Sequence, residues 1–218
     1  MSAVEVLLER AGFLVVAKPA GVPVIPGRGG EAGDSLREQL EASLGAKLWV
    51  VHRLDRDTSG ALVFARTPEA HRTLSMAFEE GRVTKRYLAL VEGDLQQPQR
   101  VELALTAARK GKMRPVFPGE AGKASCTEFQ PVERFGRATL VEARPLTGRT
   151  HQIRVHLKAI GHPLVFDHQY GQSEPLLGLM RTPLHASSVG WPALDGVEAC
   201  TVDAPVPEDL ERAMRLLR

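Results

Sequence analysis

The stretch that most restricts how this chain can fold is His52-Arg53-Leu54-Asp55-Arg56-Asp57-Thr58-Ser59-Gly60, which sets four charged side chains between two apolar runs. Leu48-Trp49-Val50-Val51 precedes it and Ala61-Leu62-Val63-Phe64-Ala65 follows. Both runs are short, apolar and bounded by polar residues or glycine, the pattern of buried strands. Asp-Thr-Ser-Gly can turn a chain for local reasons, since Asp and Ser side chains bond nearby backbone N–H groups and Gly takes positive φ. A turn does not require Arg53 and Arg56 on either side of Asp55. Two cations there favour the ionised carboxylate, and a carboxylate held ionised between buried strands is a candidate nucleophile or base.

The rest of the chain reads as short elements around that stretch. Residues 4 to 18 predict a strand entering a Lys18-Pro19-Ala20-Gly21 turn, with Phe13 to Ala17 as its apolar core. Three prolines (Pro19, Pro23, Pro26) and five glycines between residues 21 and 33 predict a loop. Ser35-x-x-Glu38 is a capping box, Leu36, Leu40 and Leu44 repeat at i, i+4, i+8, and Gly45 stops the helix. Thr67-Pro68 opens a second helix with Ala70, Leu74, Ala77 and Phe78 as its apolar stripe, closing near Gly81. Val83 to Gly93 predicts a long strand with Tyr87, Ala89 and Val91 on one face and Leu88 and Leu90 on the other.

Residues 107 to 124, rich in Lys, Arg and Gly, predict a loop or hairpin tip, and Cys126–Val132 with Ala138–Arg144 a hairpin. A helix over about residues 150 to 160 buries Ile153, Leu157 and Ile160, and His151, Arg154 and Lys158 lie on a neighbouring face. Arg149 and Arg154 stand near its start, where the helix dipole disfavours cations by roughly 0.3–1 kcal/mol, so an anionic partner is expected: Asp55 or a phosphate. Residues 162 to 190 read as loop-rich, and Pro207 to Leu217 as a closing helix.

The net charge of +2 says little by itself, but its distribution is uneven. Residues 100 to 158 hold twelve Lys or Arg against five acids, a basic half that fits a polyanion surface or, alternatively, a solvated loop face. Cys126 and Cys200 lie far apart without metal-ligand spacing, which argues against a zinc site and a disulfide framework. No apolar run has transmembrane length, and the N-terminus lacks a signal-peptide pattern. A cytoplasmic protein without a membrane partner, acting as a monomer, is the expectation.

His52-Arg53-Leu54-Asp55-x-x-Thr58-Ser59-Gly60 resembles the catalytic signature of the RluA-type family of RNA pseudouridine synthases. Four further segments resemble that family in order: Val15–Gly21, Lys85–Val91, Gly148–Leu157 and Leu184-His185-Ala186. The resemblance covers nearly the whole chain. It implies an α+β fold with a mixed, largely antiparallel central sheet in two halves and an active-site cleft. One catalytic domain over residues 1–218 is expected, with no N-terminal accessory RNA-binding domain of the kind some relatives carry, since the first strand begins almost at once. Three places depart from the pattern: Phe166 where relatives more often have Gly, Thr182-Pro183 before Leu184, and the tail from Val189 to Thr201.

The implied reaction isomerises uridine to pseudouridine in structured tRNA or rRNA, with no cofactor and no metal. Asp55 maps onto the catalytic aspartate, Arg154 onto the arginine paired with it, and Tyr87 onto the active-site tyrosine, whose alternative is a core residue. Arg53 resembles the residue that enters the RNA when the base is flipped, or else is a salt-bridge partner of Asp55 or Asp57. Leu184 resembles the apolar pocket lining, or plain core. Arg149 and His151 are further substrate-binding candidates. Arg109, Lys110, Lys112 and Arg114 are phosphate-contact candidates from charge alone. Two other classes compete. Asp55-Arg56-Asp57-Thr58 also reads as the D-x-D-T of aspartyl-phosphate phosphatases, which require magnesium and a later acidic pair. A non-catalytic RNA-binding module is the other, although eleven aromatic residues without an RNP-like pattern offer few stacking platforms.

Overall fold

The computed structural model describes residues 4–27, 33–172, 174 and 177–218, apart from the side chain of Lys110. Part of the expected glycine-rich loop (28–32) lies outside the described residues. The chain divides into two compact units, Met1–Lys85 with Ala186–Pro205, and Arg86–His185 with Val206–Arg218.

In the first unit, β1 (Val6–Glu9), β2 (Phe13–Lys18), β4 (Ser59–Ala65) and β10 (Leu184–Trp191) lie in that order, with β3 (Trp49–Val50) paired to β4 and β11 (Cys200–Asp203) to β10. The β1–β2, β2–β4, β3–β4 and β10–β11 pairings are antiparallel. One strand was expected over residues 4 to 18, and two form. Arg10-Ala11-Gly12 interrupts the apolar run, Arg10 N–H donates to Phe13 O, and the chain doubles back so that Glu9 pairs with Leu14. All seven residues of β4 are buried, which accounts for an apolar run without alternation.

Helices α1 (Leu36–Leu44) and α2 (Pro68–Glu79) begin as expected. Ser35 and Glu38 complete a capping box, and Thr67 accepts from Ala70 N–H ahead of Pro68. Ala70, Leu74 and Ala77 of α2 pack with Phe13, Val15, Val63 and Trp191 in the core of this unit. His52 sits against the same helix, its ring stacked on Phe78 at 4.3 Å, and its Nε2 accepts the Val63 N–H at 3.1 Å. That bond requires an unprotonated Nε2. Burial, and then the charge of Lys85, push the His52 pKa down to about 3.

In the second unit the strand order is β5 (Thr84–Glu92), β9 (Ala138–Pro145), β8 (Lys123–Arg134), β6 (Gln99–Ala107) and β7 (Met113–Pro115). The β5–β9, β9–β8, β8–β6 and β6–β7 pairings are antiparallel. The alternation read along Val83–Gly93 sets its two faces. Ala89, Val91 and Tyr87 pack with Ile153 and Leu157 of α3 (Gln152–Ala159), while Leu90 and Leu88 pack with Leu210, Ala213 and Met214 of α4 (Glu208–Leu217). The basic segment expected as a hairpin tip turns between β6 and β7 through a 3₁₀ turn, Arg109–Gly111.

Two buried polar side chains of α3 tie it to β8. Gln152 donates to Cys126 O and Thr127 Oγ1 and accepts from Thr147 Oγ1 and Arg149 N–H, which uses its whole hydrogen-bonding capacity. His156 is fully enclosed, with Nε2 2.9 Å from Ser125 Oγ. Since that hydroxyl donates to Leu103 O, it accepts from His156, and burial lowers the imidazole pKa to about 4.

Both imidazoles are thus neutral in the folded chain, whereas the unfolded chain protonates them near 6.5. Below that pH the unfolded state binds more protons, so stability falls as pH falls, by up to about 1.4 kcal/mol per pH unit for each histidine. Urea unfolding between pH 7 and 5, above most carboxylate titration, is expected to show this loss. A flat profile there would mean that both rings titrate normally in the fold.

Candidate active site

Asp55 lies in the loop between β3 and β4, half-buried, with Leu54, Thr58 and Ser59 buried around it. The loop closes on itself through Thr58 N–H to Asp55 O at 3.1 Å. It is also tied to the turn after β2. Lys18, 1% exposed, donates from Nζ to Pro19 O, Arg56 O and Thr58 O, each at 2.8 Å. Gly21 N–H donates to Arg56 O at 2.9 Å, and Arg56 Nε returns a bond to Gly21 O at 2.8 Å. Hydrogen bonds from a charged donor contribute roughly 1.5–3 kcal/mol each, and carbonyls buried without a donor cost a comparable amount. Lys18 therefore fixes the backbone on the C-terminal side of Asp55.

Gly60 completes the arrangement at the head of β4. Its φ is +114°, and a Cβ there would stand 2.2 Å from Ala186 O of β10. No side chain fits. Arg53 is exposed on the N-terminal side of the loop.

In the second unit, Arg154 is buried in the first turns of α3. The anionic partners of a cation in that position include Asp167, beyond the Asp55 or phosphate expected. Arg154 Nε donates to Asp167 Oδ2 and Nη2 to Oδ1, both at 2.7 Å, and Nη2 also reaches Gln169 Oε1 at 3.2 Å. The guanidinium carbon lies 4.9 Å from the Tyr170 ring centre. Asp167 is fully buried and accepts backbone N–H bonds from Gln169 and Tyr170 at 2.9 and 3.2 Å. Burial pushes its carboxyl upward, but the bonds and charge of Arg154, with the two backbone donors, outweigh that and hold it below its ordinary value. Phe166, the departure from the family pattern, is buried beside it with its ring edge-on to His168.

The same segment gathers other sequence candidates. His151, the N-cap of α3, takes a left-handed φ of +53°, and its Nδ1 is 2.8 Å from Tyr170 Oη. A non-glycine residue in that region costs on the order of 1–3 kcal/mol and marks a position fixed by its surroundings. Tyr170 Oη also accepts Met113 N–H at 2.7 Å, and Lys112 Nζ donates to Gln169 O at 2.9 Å, so the basic hairpin docks on residues 167–170. Tyr87 and Leu184 share the apolar cluster that holds Ile153 and Leu157 of α3.

Other candidates lie apart from that group. Arg149 is exposed and donates from Nε to Ala124 O. Arg109 is exposed at the hairpin tip, and the Lys110 side chain lies outside the described residues. Arg114 is engaged bidentately by Glu120 at 2.7 and 2.9 Å, which matches its charge. Among the described residues no group of three or more His, Cys, Asp or Glu is placed to hold a metal ion, and no helix is long and apolar enough to cross a membrane.

Residues 12–159, which contain Asp55, Tyr87 and Arg154, match the RNA pseudouridylate synthase family. The chain is 39% identical over 223 residues to ribosomal large subunit pseudouridine synthase C of Pasteurella multocida, covering 98% of this chain and 68% of that protein. It is 39% identical over 226 residues to synthase C of Escherichia coli K12, covering 98% and 70%. With synthase D of Zymomonas mobilis it shares 34% over 230 residues, covering 98% and 72%. Human RNA pseudouridylate synthase domain containing 1 superposes with a TM-score of 0.76 at 28% identity, covering 99% and 95% of the two chains. Human RNA pseudouridylate synthase domain containing 4 gives 0.79 at 24%, covering 98% and 93%, a likeness of fold. Matches of that breadth set aside the phosphatase and pure binding alternatives: this chain belongs to the RNA pseudouridylate synthase family and is an intramolecular isomerase.

Proposed function

We propose that this enzyme converts uridines of large-subunit ribosomal RNA to pseudouridine, with Asp55 as the catalytic carboxylate. The observation that carries the choice of RNA is the 39% identity, along 98% of the chain, to proteins named as large-subunit synthases. The reaction breaks the C1′–N1 bond, turns the uracil, joins C5 to C1′, and moves the C5 proton off carbon while N1 gains one. A carboxylate can open that sequence by attack at C1′ or by removal of the 2′ proton, and both routes need it ionised and aimed. The clamp by Lys18 supports Asp55 in that role, because it fixes the loop backbone before substrate arrives.

Tyr87 is assigned to the uracil, stacking by its ring and standing near C5 by its hydroxyl. Leu184 is assigned to the wall of the base pocket, and Arg53 to the space left in the RNA by the flipped nucleotide. Arg154 takes the part of the family arginine that pairs with the catalytic carboxylate. Asp167 is a positioning residue that orients it. Arg149, His151, Arg109 and Lys112 are assigned to the RNA backbone. Arg114, matched by Glu120, is a weaker phosphate ligand than its residue type suggests.

Tritium release from large-subunit rRNA labelled with 5-³H-uridine, without added metal, tests the assignment. Wild type should release tritium and Asp55→Asn should fall to background; release retained by Asp55→Asn would remove that side chain from the chemistry. For Asp167→Asn we expect kcat to drop by roughly 10- to 100-fold with KM little changed, because misorientation of an aiming group is felt in the transition state. Equal kcat for Asp167→Asn and wild type would reduce Asp167 to a packing residue.

A further inference from the structure

Of the eleven aromatic residues, all among those described, ten are buried or half-buried and one, Phe117, is exposed, at 64%. A lone exposed apolar side chain is ordinary. What is not ordinary is how firmly this one is held.

Phe117 begins a tight turn, Phe117-Pro118-Gly119-Glu120, closed by Glu120 N–H to Phe117 O at 3.0 Å, with Gly119 at φ +84°. The Glu120 carboxylate reaches back to Phe117 N–H at 2.9 Å, and Arg114 grips the same carboxylate with two bonds. The Arg114 guanidinium carbon lies 4.6 Å from the phenyl centre. Behind the turn, Val116 N–H donates to Ala104 O, and a Cβ on Gly122 would meet Val116 Cγ1 at 2.3 Å, so the returning strand lies close against the loop. Ordering two long charged side chains costs up to about 1.5–2 kcal/mol of rotamer entropy each. Here the ordering fixes a ring that stays in water.

We propose that Phe117 is a stacking platform for an unpaired base of the substrate RNA. It rests on the RNA-modifying function proposed above and adds a contact outside the base pocket. The surroundings favour a nucleic acid over a protein. The hairpin that precedes the turn carries Arg109 and Lys112 at its tip, and Lys123, which follows the turn, is exposed at the start of β8. A protein-docking site has an apolar centre of several residues; a single exposed flat ring suits a base, since every base presents a π face whatever the sequence. Arg114 is matched by Glu120 and serves to hold the ring, which leaves phosphate neutralisation to Arg109 and Lys112.

The test compares Phe117→Ala, Phe117→Trp and wild type, each checked for an unchanged melting temperature, on a large-subunit rRNA transcript. Filter binding gives Kd and its salt dependence, and tritium release gives kcat and KM. Phe117→Ala should raise Kd and KM by roughly 5- to 100-fold, leave kcat unchanged and keep the salt slope of wild type, while Phe117→Trp binds as wild type or tighter. Arg109→Ala with Lys112→Ala should instead make the salt slope shallower by roughly one to two. If Phe117→Ala binds the transcript as wild type does, the platform does not exist, and wild-type activity in the same preparation leaves the isomerase assignment standing. If wild type makes no pseudouridine in this RNA, the Kd comparison still decides the platform alone. A defect seen only on protein-containing ribosomal particles, with normal binding to naked RNA, would place Phe117 against a protein and overturn the proposal.

Discussion

Lys18 Nζ reaches from the end of β2 to the carbonyls of Pro19, Arg56 and Thr58, and the backbone course beyond Asp55 follows from that reach. An ammonium offers three donors and no acceptor, so it can draw separate carbonyl groups to one point in a way that no apolar side chain can. Gly21 and Arg56 exchange two further bonds across the same junction, and Gly60 lets the chain pass within reach of Ala186 without a side chain in the way. In the reaction proposed for Asp55, a carboxylate on a free loop would have to be ordered at the moment of chemistry. Here much of that ordering is done by folding.

The second unit solves a related problem with an ion pair. Arg154 is a buried cation near a helix start, a position unfavourable on both counts. Asp167 compensates with two short bonds and is itself secured by two backbone N–H groups. Residues 167–170 then serve several neighbours at once: Asp167 and Gln169 for Arg154, the Tyr170 hydroxyl for His151 and Met113, and the Gln169 carbonyl for Lys112. The basic hairpin, held through residues 169 and 170, is thus linked to the helix of the buried arginine by covalent and hydrogen-bonded steps alone.

Local chemistry explains what could be read in advance. The capping box at Ser35, the Thr67-Pro68 helix start, the two-faced strand at Val83–Gly93 and the buried run at Ala61–Ala65 all follow from periods and caps confined to a dozen residues. Features that local chemistry does not reveal depend on contacts remote in sequence. Lys18 meets its acceptors 38 and 40 residues later, and Asp167 meets Arg154 across a loop, 13 residues on. Leu164-Val165-Phe166-Asp167 did carry a signal, an acid at the end of a buried apolar run, where an unpaired charge is too costly to stand. The turn after β1 is set by Gly12 and Arg10, a short polar interruption that the apolar residues on either side obscure. Strands β6 and β11 lie outside the sequence expectations, and β10 replaces the end of the loop expected over residues 162 to 190, since their patterns are weak and their pairing partners are remote in sequence.

Hydrogen exchange on folded Lys18→Met asks whether the ammonium holds the loop of Asp55, because methionine fills similar space without a donor. The Thr58 and Gly21 amides should lose most of their protection while the β2–β4 ladder, from Val15 opposite Val63 to Phe13 opposite Ala65, keeps its own. Unchanged protection at Thr58 and Gly21 in that variant would contradict that role of the ammonium, and would mean that something other than Lys18 holds the loop of Asp55.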